Sequence, residues 1–580
     1  MKQLHLFFPL LCCALLGLQN AACQAAGGTM VEGRAVWAVP TSMAFNDSVT
    51  KATLEQCKKA NINIVVLLVM NTDRQMYYHS KKFPESIAKG FEQFDPLAAV
   101  IREAHARGIR VHAWLCDFIQ SANGPVMQKH PEWAQRNPEG QTTSEAELLS
   151  GGAKYEENWM CPARRPGYTD QWLIPVVEEI VANYDVDGIH HDYVRYPGDV
   201  GPDSYCFCDY CLDAMMKYPH LYYEAYPDSV FPMVPVLPRM IANWSTDITV
   251  RPKDWGTWDR KKKAEFILTG SFLKGGPADL DYFLYTFRQD QINRFAREVW
   301  EHASAIKPNI EFSAAVFKNP IMSGRFIGQR WTDFAPWVDV MMPMVYRSHF
   351  PRVNYDTFIT MLEEYTRYEY GWAKDRTHLS IGLDVSYMFN EESHFLRDIL
   401  SLTDSLRVLT GTARAAFVGR VQSEYAQVKD HLHQIAPDLE AKLTPGLASL
   451  STLDGQGLSS IQEVGRSIQA NPPDDYYPKA KLRRAVEAVR KGGGNGIVIF
   501  EAGALTAKKL WPVLEDLFKT PSVEPFTVSS AAEMSIVHLK AQREELASAQ
   551  RKFWYLGGVA LILAAALAVV ARRKKPNLER

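Results

Sequence analysis

The chain has 580 residues, 47% hydrophobic and 22% charged, which is globular composition with material for a large core. Its formal net charge of −2 argues against nucleic acid as a partner, because such proteins carry a basic surface. The one basic block in the folded part, Arg260 to Lys263, reads as a solvated face.

The chain opens with Lys2, an apolar run from Leu4 to Leu18 and small residues near Ala22 to Ala26. That order predicts a secretory signal over 1–26, and hence export. Short apolar runs then alternate with helical stretches. The predicted strands are Arg34–Pro40, Ile62–Met70, Ile109–Leu115, Val186–Asp192, Ile310–Phe317, Val338–Tyr346, His378–Asp384 and Gly496–Gly503. Runs of this length that are apolar on both faces suit a parallel sheet covered on both sides. Between them lie helices such as "DPLAAVIREAHARG", from an N-cap at Asp95 to a stop at Gly108. Eight strand–helix units in this order predict a (β/α)8 TIM barrel over 27–384 and 479–519. An open doubly wound sheet would usually show a Gly-rich loop after an early strand, and none appears.

Two connections are too long for a minimal barrel, and each should carry structure of its own. One is an aromatic-rich insertion over 199–280, with Trp244, Trp255 and Trp258. The other, over 385–478, reads as mostly helical. Beyond the barrel, 520–552 has helix propensity but few large apolar residues, so a juxtamembrane stalk is expected. Phe553 to Ala571 carries no charge and is long enough to span a bilayer as a helix. Arg572, Arg573, Lys574 and Lys575 then suit the cytoplasmic side, leaving 572–580 as a tail. The expectation is a barrel outside the cytoplasm, held by one C-terminal pass. A cleavable sorting tail is the alternative.

In a barrel of this kind the active site lies at the C-terminal ends of the strands. The fourth strand, in "VDGIHHDYVRYPG", stops in a cluster of polar and aromatic groups there. Asp192 reaches the mouth, followed by Tyr193, Arg195 and Tyr196, with His191 as a further contact. The other strand ends offer Trp37, Asn71, Arg74, Trp114, Asp117 and Tyr346 as substrate contacts. Aromatic faces beside carboxylates suit a sugar, whose C–H faces stack on rings and whose hydroxyls need polar partners. Glycoside hydrolysis usually uses two carboxyl groups. Asp192 and Glu501 are the expected pair, with Asp384 as the substitute for the second. Asp187, at the start of the strand, reads as structural.

Four stretches carry a resemblance: "EGRAVWAVP", "WMCPARRPGYTDQWLIPVVEEIVANYDVDGIHHDYVRYP", "GQRWTDFAPWVDVMMPMVYR" and "GGGNGIVIFEAGAL". The sequence resembles the glycosyl hydrolase-like 10 family of secreted bacterial proteins. The resemblance implies a (β/α)8 barrel and glycosidase activity, with Asp192 at the family's fourth-strand acid. A weaker similarity is to chitinases, whose fourth strand reads D-G-x-D-x-D-x-E. Asp187 and Asp192 match the outer two Asp, but His190 replaces the middle one. Val194 stands where the catalytic Glu would be, which speaks against a substrate-assisted mechanism.

Six cysteines lie beyond the signal region, and three form "CFCDYC", Cys206, Cys208 and Cys211. Three thiolates so close can converge on one tetrahedral ion, with Cys161 as the fourth ligand. The expectation is a structural zinc that takes no part in catalysis; disulfides are the alternative, since an exported protein permits them. The leading function is a membrane-anchored glycoside hydrolase acting on a poly- or oligosaccharide through two carboxylates. The alternative is a non-catalytic glycan-binding or envelope-assembly protein on the same barrel, and a lyase or transferase stands third.

Overall fold

Valine, isoleucine, leucine and methionine fill both faces of the central segments, so neither face can be left to solvent. In a computed structural model of the chain, these segments form eight parallel strands closed into a barrel. The described residues are 30–146, 157–198, 200–201, 204–217, 254–269, 280–320, 322–350, 353, 355–373, 376–385, 390–435, 437–452, 454–470 and 479–524. The strands are β1 (Gly33–Ala38), β2 (Ile64–Met70), β3 (Arg110–Cys116), β4 (Gly188–Asp192), β5 (Glu311–Phe317) and β6 (Val340–Met344). β7 has two pieces, His378–Leu379 and Ile381–Asp384, and β8 is Gly496–Phe500. Each strand pairs with its neighbours in sequence, and β8 pairs with β1 to close the ring.

Each predicted strand is present; most are trimmed by one to three residues, while β1 starts one residue earlier, β3 ends one later and β7 keeps both ends. The largest differences follow proline chemistry and helix capping. Pro40 opens a helical turn, Pro40–Met43, rather than ending β1, and Glu501 caps a helix, Ala502–Ala507, rather than extending β8.

Around the barrel run α1 (Asp47–Lys59), α2 (Pro96–His105), α3 (Ile174–Asn183), α4 (Leu280–Ile306), α5 (Tyr355–Ala373), α6 (Lys479–Lys491) and α7 (Trp511–Leu517). A short helix, Trp331–Phe334, connects β5 to β6. Asp95 caps α2 through a bond from the Ala98 amide of 2.9 Å, and Gly108 takes a φ of +70° just past its end. Gly188 opens β4 because a Cβ there would meet the His112 ring at 2.8 Å.

Residues 390–470 form helices that bury a separate apolar cluster, including Phe395, Leu402, Val421, Leu432 and Leu443. In the insertion after β4, Asp209–Lys217 and Arg260–Thr269 are helical, and buried Trp255 donates to Asp213 at 2.7 Å. The basic block there is less free than a solvated face. Lys262 lies 4.1 Å from the centre of the Trp258 ring, and Arg260 pairs with Asp209 at 2.9 Å.

The end of the folded body differs from the expected boundary at 519. Ser522–Val523 pairs in parallel with Met30–Val31 beneath the barrel, and Glu524 is buried against Arg110 at 3.1 Å. The predicted signal (1–26), the stalk beyond 524, the span Phe553–Ala571 and the tail 572–580 lie outside the described residues, as do Trp244 and its neighbours. Among the described residues, no helix is long and apolar enough to cross a membrane.

Candidate active site

Side chains alternate along a strand, so residues two apart share a face. In β4, His190 and Asp192 point into the barrel and His191 points out. At the C-terminal mouth the inward residues enclose a cavity of about 680 Å3. Its wall is largely aromatic: Trp37 from β1, Trp114 from β3, Tyr346 after β6 and Phe500 from β8. The Trp37 ring meets Tyr346 and Phe500 edge-on, at 6.5 and 6.0 Å between centres.

Asp192 is the carboxylate in this wall. Its Oδ1 accepts the Tyr193 amide at 2.7 Å and its Oδ2 accepts the Trp114 indole N–H at 3.2 Å. Burial pushes its pKa up to about 6, against the opposing pull of the Tyr193 amide and Arg195. Tyr193 follows with a φ of +51°, a left-handed backbone uncommon for a bulky residue, and turns its ring into the cavity. Arg195 completes this side, stacked 4.7 Å from the Trp159 ring and 4.8 Å from Phe317.

A buried polar chain runs from the cavity floor down the barrel. Trp37 can only donate, and its Nε1 lies 3.0 Å from His190 Nε2. That nitrogen therefore accepts, and Nδ1 carries the proton toward Ser313 Oγ at 2.8 Å. Ser313 in turn donates to His112 Nδ1 at 2.8 Å, and His112 Nε2 donates to Glu311 at 3.2 Å. Arg110 closes the chain on the other Glu311 oxygen. Burial holds His190 well below the usual imidazole range, in keeping with this neutral tautomer.

Of the residues expected at the site, the cavity brings together Trp37, Asn71, Trp114, Asp192, Tyr193, Arg195 and Tyr346. Six others are not among its lining residues. His191 and Asp117 are fully buried on the outer side of the strands, paired at 2.9 Å, with His191 packed on Phe295 and Phe312. Arg74 is buried beside them, bonded to the Cys116 carbonyl, with its guanidinium 5.5 Å from the Tyr168 ring centre. Tyr196 is buried under Arg288, 4.5 Å from ring centre to guanidinium. The Glu501 carboxylate accepts the Gly503 and Ala504 amides at 2.9 and 2.7 Å, so it is held as a helix cap outside the cavity wall. Asp384 is buried at the end of β7; its charge bears on Tyr346, which also feels Asp192. Asp187 sits at the opposite end of β4, accepting the Val111 amide at 2.8 Å and His105 at 2.9 Å.

Sequence reasoning missed Lys318 and His349, which also line the cavity. Lys318 donates to the His349 carbonyl at 3.4 Å and lies 4.4 Å from the Phe350 ring centre. Burial lowers its pKa. Lys318 directly follows β5, and that position was the signal available.

Behind the β4 side of the cavity, Cys161, Cys206, Cys208 and Cys211 are all buried, with their sulfurs within 4.8 Å of one another.

The profile of the glycosyl hydrolase-like 10 family matches residues 32–386. Glycosyl hydrolase YngK of Bacillus subtilis is 25% identical over 179 residues, 28% of this chain and 31% of that protein. Glycosyl hydrolase DigH of Escherichia coli K12 is 27% identical over 113 residues, 18% of this chain and 24% of that protein. The matches therefore span less than a third of the length of these relatives. Among solved structures, the glycoside hydrolase domain of PgaB (BpsB) from Bordetella bronchiseptica aligns with a TM-score of 0.47 at 12% identity. That alignment covers 85% of this chain and 99% of the domain.

Proposed function

Because the chain belongs to the glycosyl hydrolase-like 10 family, we propose that it hydrolyses a glycosidic bond in a poly- or oligosaccharide, with Asp192 as general acid. The observation that carries this reading is a carboxyl raised to about 6 in the wall of an aromatic cavity at the barrel mouth. A proton held to that pH can be given to a leaving oxygen in mildly acidic to neutral solution. Trp37, Trp114, Tyr346 and Phe500 offer ring faces and edges to the apolar sides of a sugar.

The second carboxyl is Asp384 on this reading. Two facts favour it over Glu501: its charge reaches Tyr346 in the cavity wall, and Glu501 is engaged by two helix amides. Asp384 would take the nucleophile's or the base's part. The test is a glycan-library screen of the enzyme against Asp192→Asn and Asp384→Asn, with products resolved by mass spectrometry. Full activity in Asp192→Asn would remove the assignment.

A second reading has an observation of its own. Asp192 is the one carboxylate among the described residues of the cavity wall, which suits a glycan-binding barrel without turnover. Saturable binding of glycans that are never cleaved, by enzyme and Asp192→Asn alike, would select it.

The proposed setting is outside the cytoplasm, after export on 1–26, with Phe553–Ala571 as membrane anchor. Protease added to intact cells should digest the barrel, and recovery of the full chain in the soluble fraction would reject the anchor.

A further inference from the structure

Hydrolysis as proposed leaves four thiols without a task. Cys161 belongs to the β3–β4 connection, two residues after Trp159. Cys206, Cys208 and Cys211 come from the loop after β4 and the first turn of helix Asp209–Lys217. Sequence order brings Cys206, Cys208 and Cys211 together but not Cys161; the barrel does that, by bringing two successive β–α connections side by side.

Their spacing discriminates between the roles open to buried cysteine. A disulfide needs sulfurs about 2.05 Å apart. Here Cys161 and Cys211 are 3.4 Å apart, Cys161 and Cys208 are 3.8 Å apart, and all four are free thiols. A tetrahedral ion with metal–sulfur bonds of about 2.3 Å would hold its ligands about 3.8 Å apart. Cysteine as a small apolar filler is met elsewhere in this protein, at the buried Cys57. Four sulfurs within 4.8 Å of one another are a different arrangement.

We propose that Cys161, Cys206, Cys208 and Cys211 bind one zinc ion. Four soft thiolates suit zinc, and they fill its tetrahedral shell, so no position is left for water or substrate. The site is a clamp. It would tie the segment carrying Trp159 to the loop after β4. The Trp159 ring lies under Arg195 at 4.7 Å and beside Tyr193 at 5.9 Å, and both of those residues line the cavity. The ion would thus hold up one wall of the active site from behind. Arg164, whose charge acts on Cys208, Cys161 and Cys211, would offset part of the double negative charge that four thiolates leave on a zinc ion.

The test uses the full chain, purified without added metal. Elemental analysis should give about one zinc per chain, and zinc-edge X-ray absorption about four sulfurs near 2.3 Å. Titrating the thiols with a mercurial should release that zinc to a colorimetric indicator, a reading that needs no variant. Cys208→Ala should lose the zinc and melt at least about 10 °C lower, whereas Cys57→Ala should keep it. Iron in place of zinc would overturn the proposal. So would zinc below about 0.1 per chain with a Cys161–Cys211 disulfide in non-reduced peptide maps.

Discussion

Replacing Asp192 by asparagine should stop catalysis and, at neutral pH, stabilise the protein. The folded carboxyl has a pKa of about 6 against an ordinary 3.8, so the fold favours its neutral form. Between those values the native state holds a proton that the unfolded chain has released. Stability therefore falls as pH rises through that window and levels off above it. The gap corresponds to about 3 kcal/mol carried as a penalty at pH 8. Asparagine carries no charge, so the penalty disappears. Part of the gain is lost again, because two donors, the Tyr193 amide and the Trp114 indole, face the two carboxylate oxygens. One of them would meet the new NH2 group, at a cost of about 1–2 kcal/mol. The net expectation is a variant about 1–2 kcal/mol more stable at pH 8 and about as much less stable near pH 4. Urea denaturation of both proteins at pH 4, 5, 6, 7 and 8 reads this directly, since every other titrating group is common to the pair. A stability difference that stays flat across those five pH values would refute the argument, whatever happens to activity.

Four further outcomes can be checked on the same protein. If Asp192 is the general acid, kcat/KM should fall about tenfold per pH unit above pH 6; a profile flat to pH 8 assigns the acid elsewhere. Gly188→Ala should cost about 1–3 kcal/mol, because the new methyl meets a His112 ring pinned by Ser313 and Glu311; an unchanged urea midpoint would show that the ring can move. Trp37→Phe strips His190 Nε2 of its donor and should cost about 1–3 kcal/mol while raising KM; wild-type values for both would mean that the bond contributes nothing. A chain ending at Lys519 should be about 2–4 kcal/mol less stable than one ending at Glu524, since Arg110 and Arg34 lose Glu524 and the Thr520 carbonyl; equal thermal melts would put the end of the folded body at 519.

The barrel was legible because its signal is repeated eight times. A strand covered on both faces is mostly apolar, and the polar residues it does hold, such as His112, His190 and Ser313, bond one another inside the barrel. The site was legible in part, for a reason visible in β4. His190, His191 and Asp192 are consecutive, yet the first and third point into the barrel and the second packs on Phe295 and Phe312. Cys116 lines the cavity and Asp117, next to it, does not. Composition at a strand end identifies polar groups; their phase relative to the barrel interior decides their use, and that phase is set by pairing with neighbouring strands. Glu501 shows a second limit. A carboxylate just past a strand and just before a helix looks the same in sequence whether it attacks a substrate or accepts helix amides. Lys318 stands just past β5 and His349 in the turn beyond β6, and no motif singles either residue out.

The pairing of Met30–Val31 with Ser522–Val523 has a practical side. These two short strands bring positions nearly 500 residues apart in sequence to one pole of the barrel, and the cavity occupies the other. A bead, a dye or a partner enzyme joined near residue 30 or residue 524 would therefore sit on the blind side. The mouth would stay as open on a coated surface as in solution. Two such barrels joined through these positions would open their cavities outward in opposite directions.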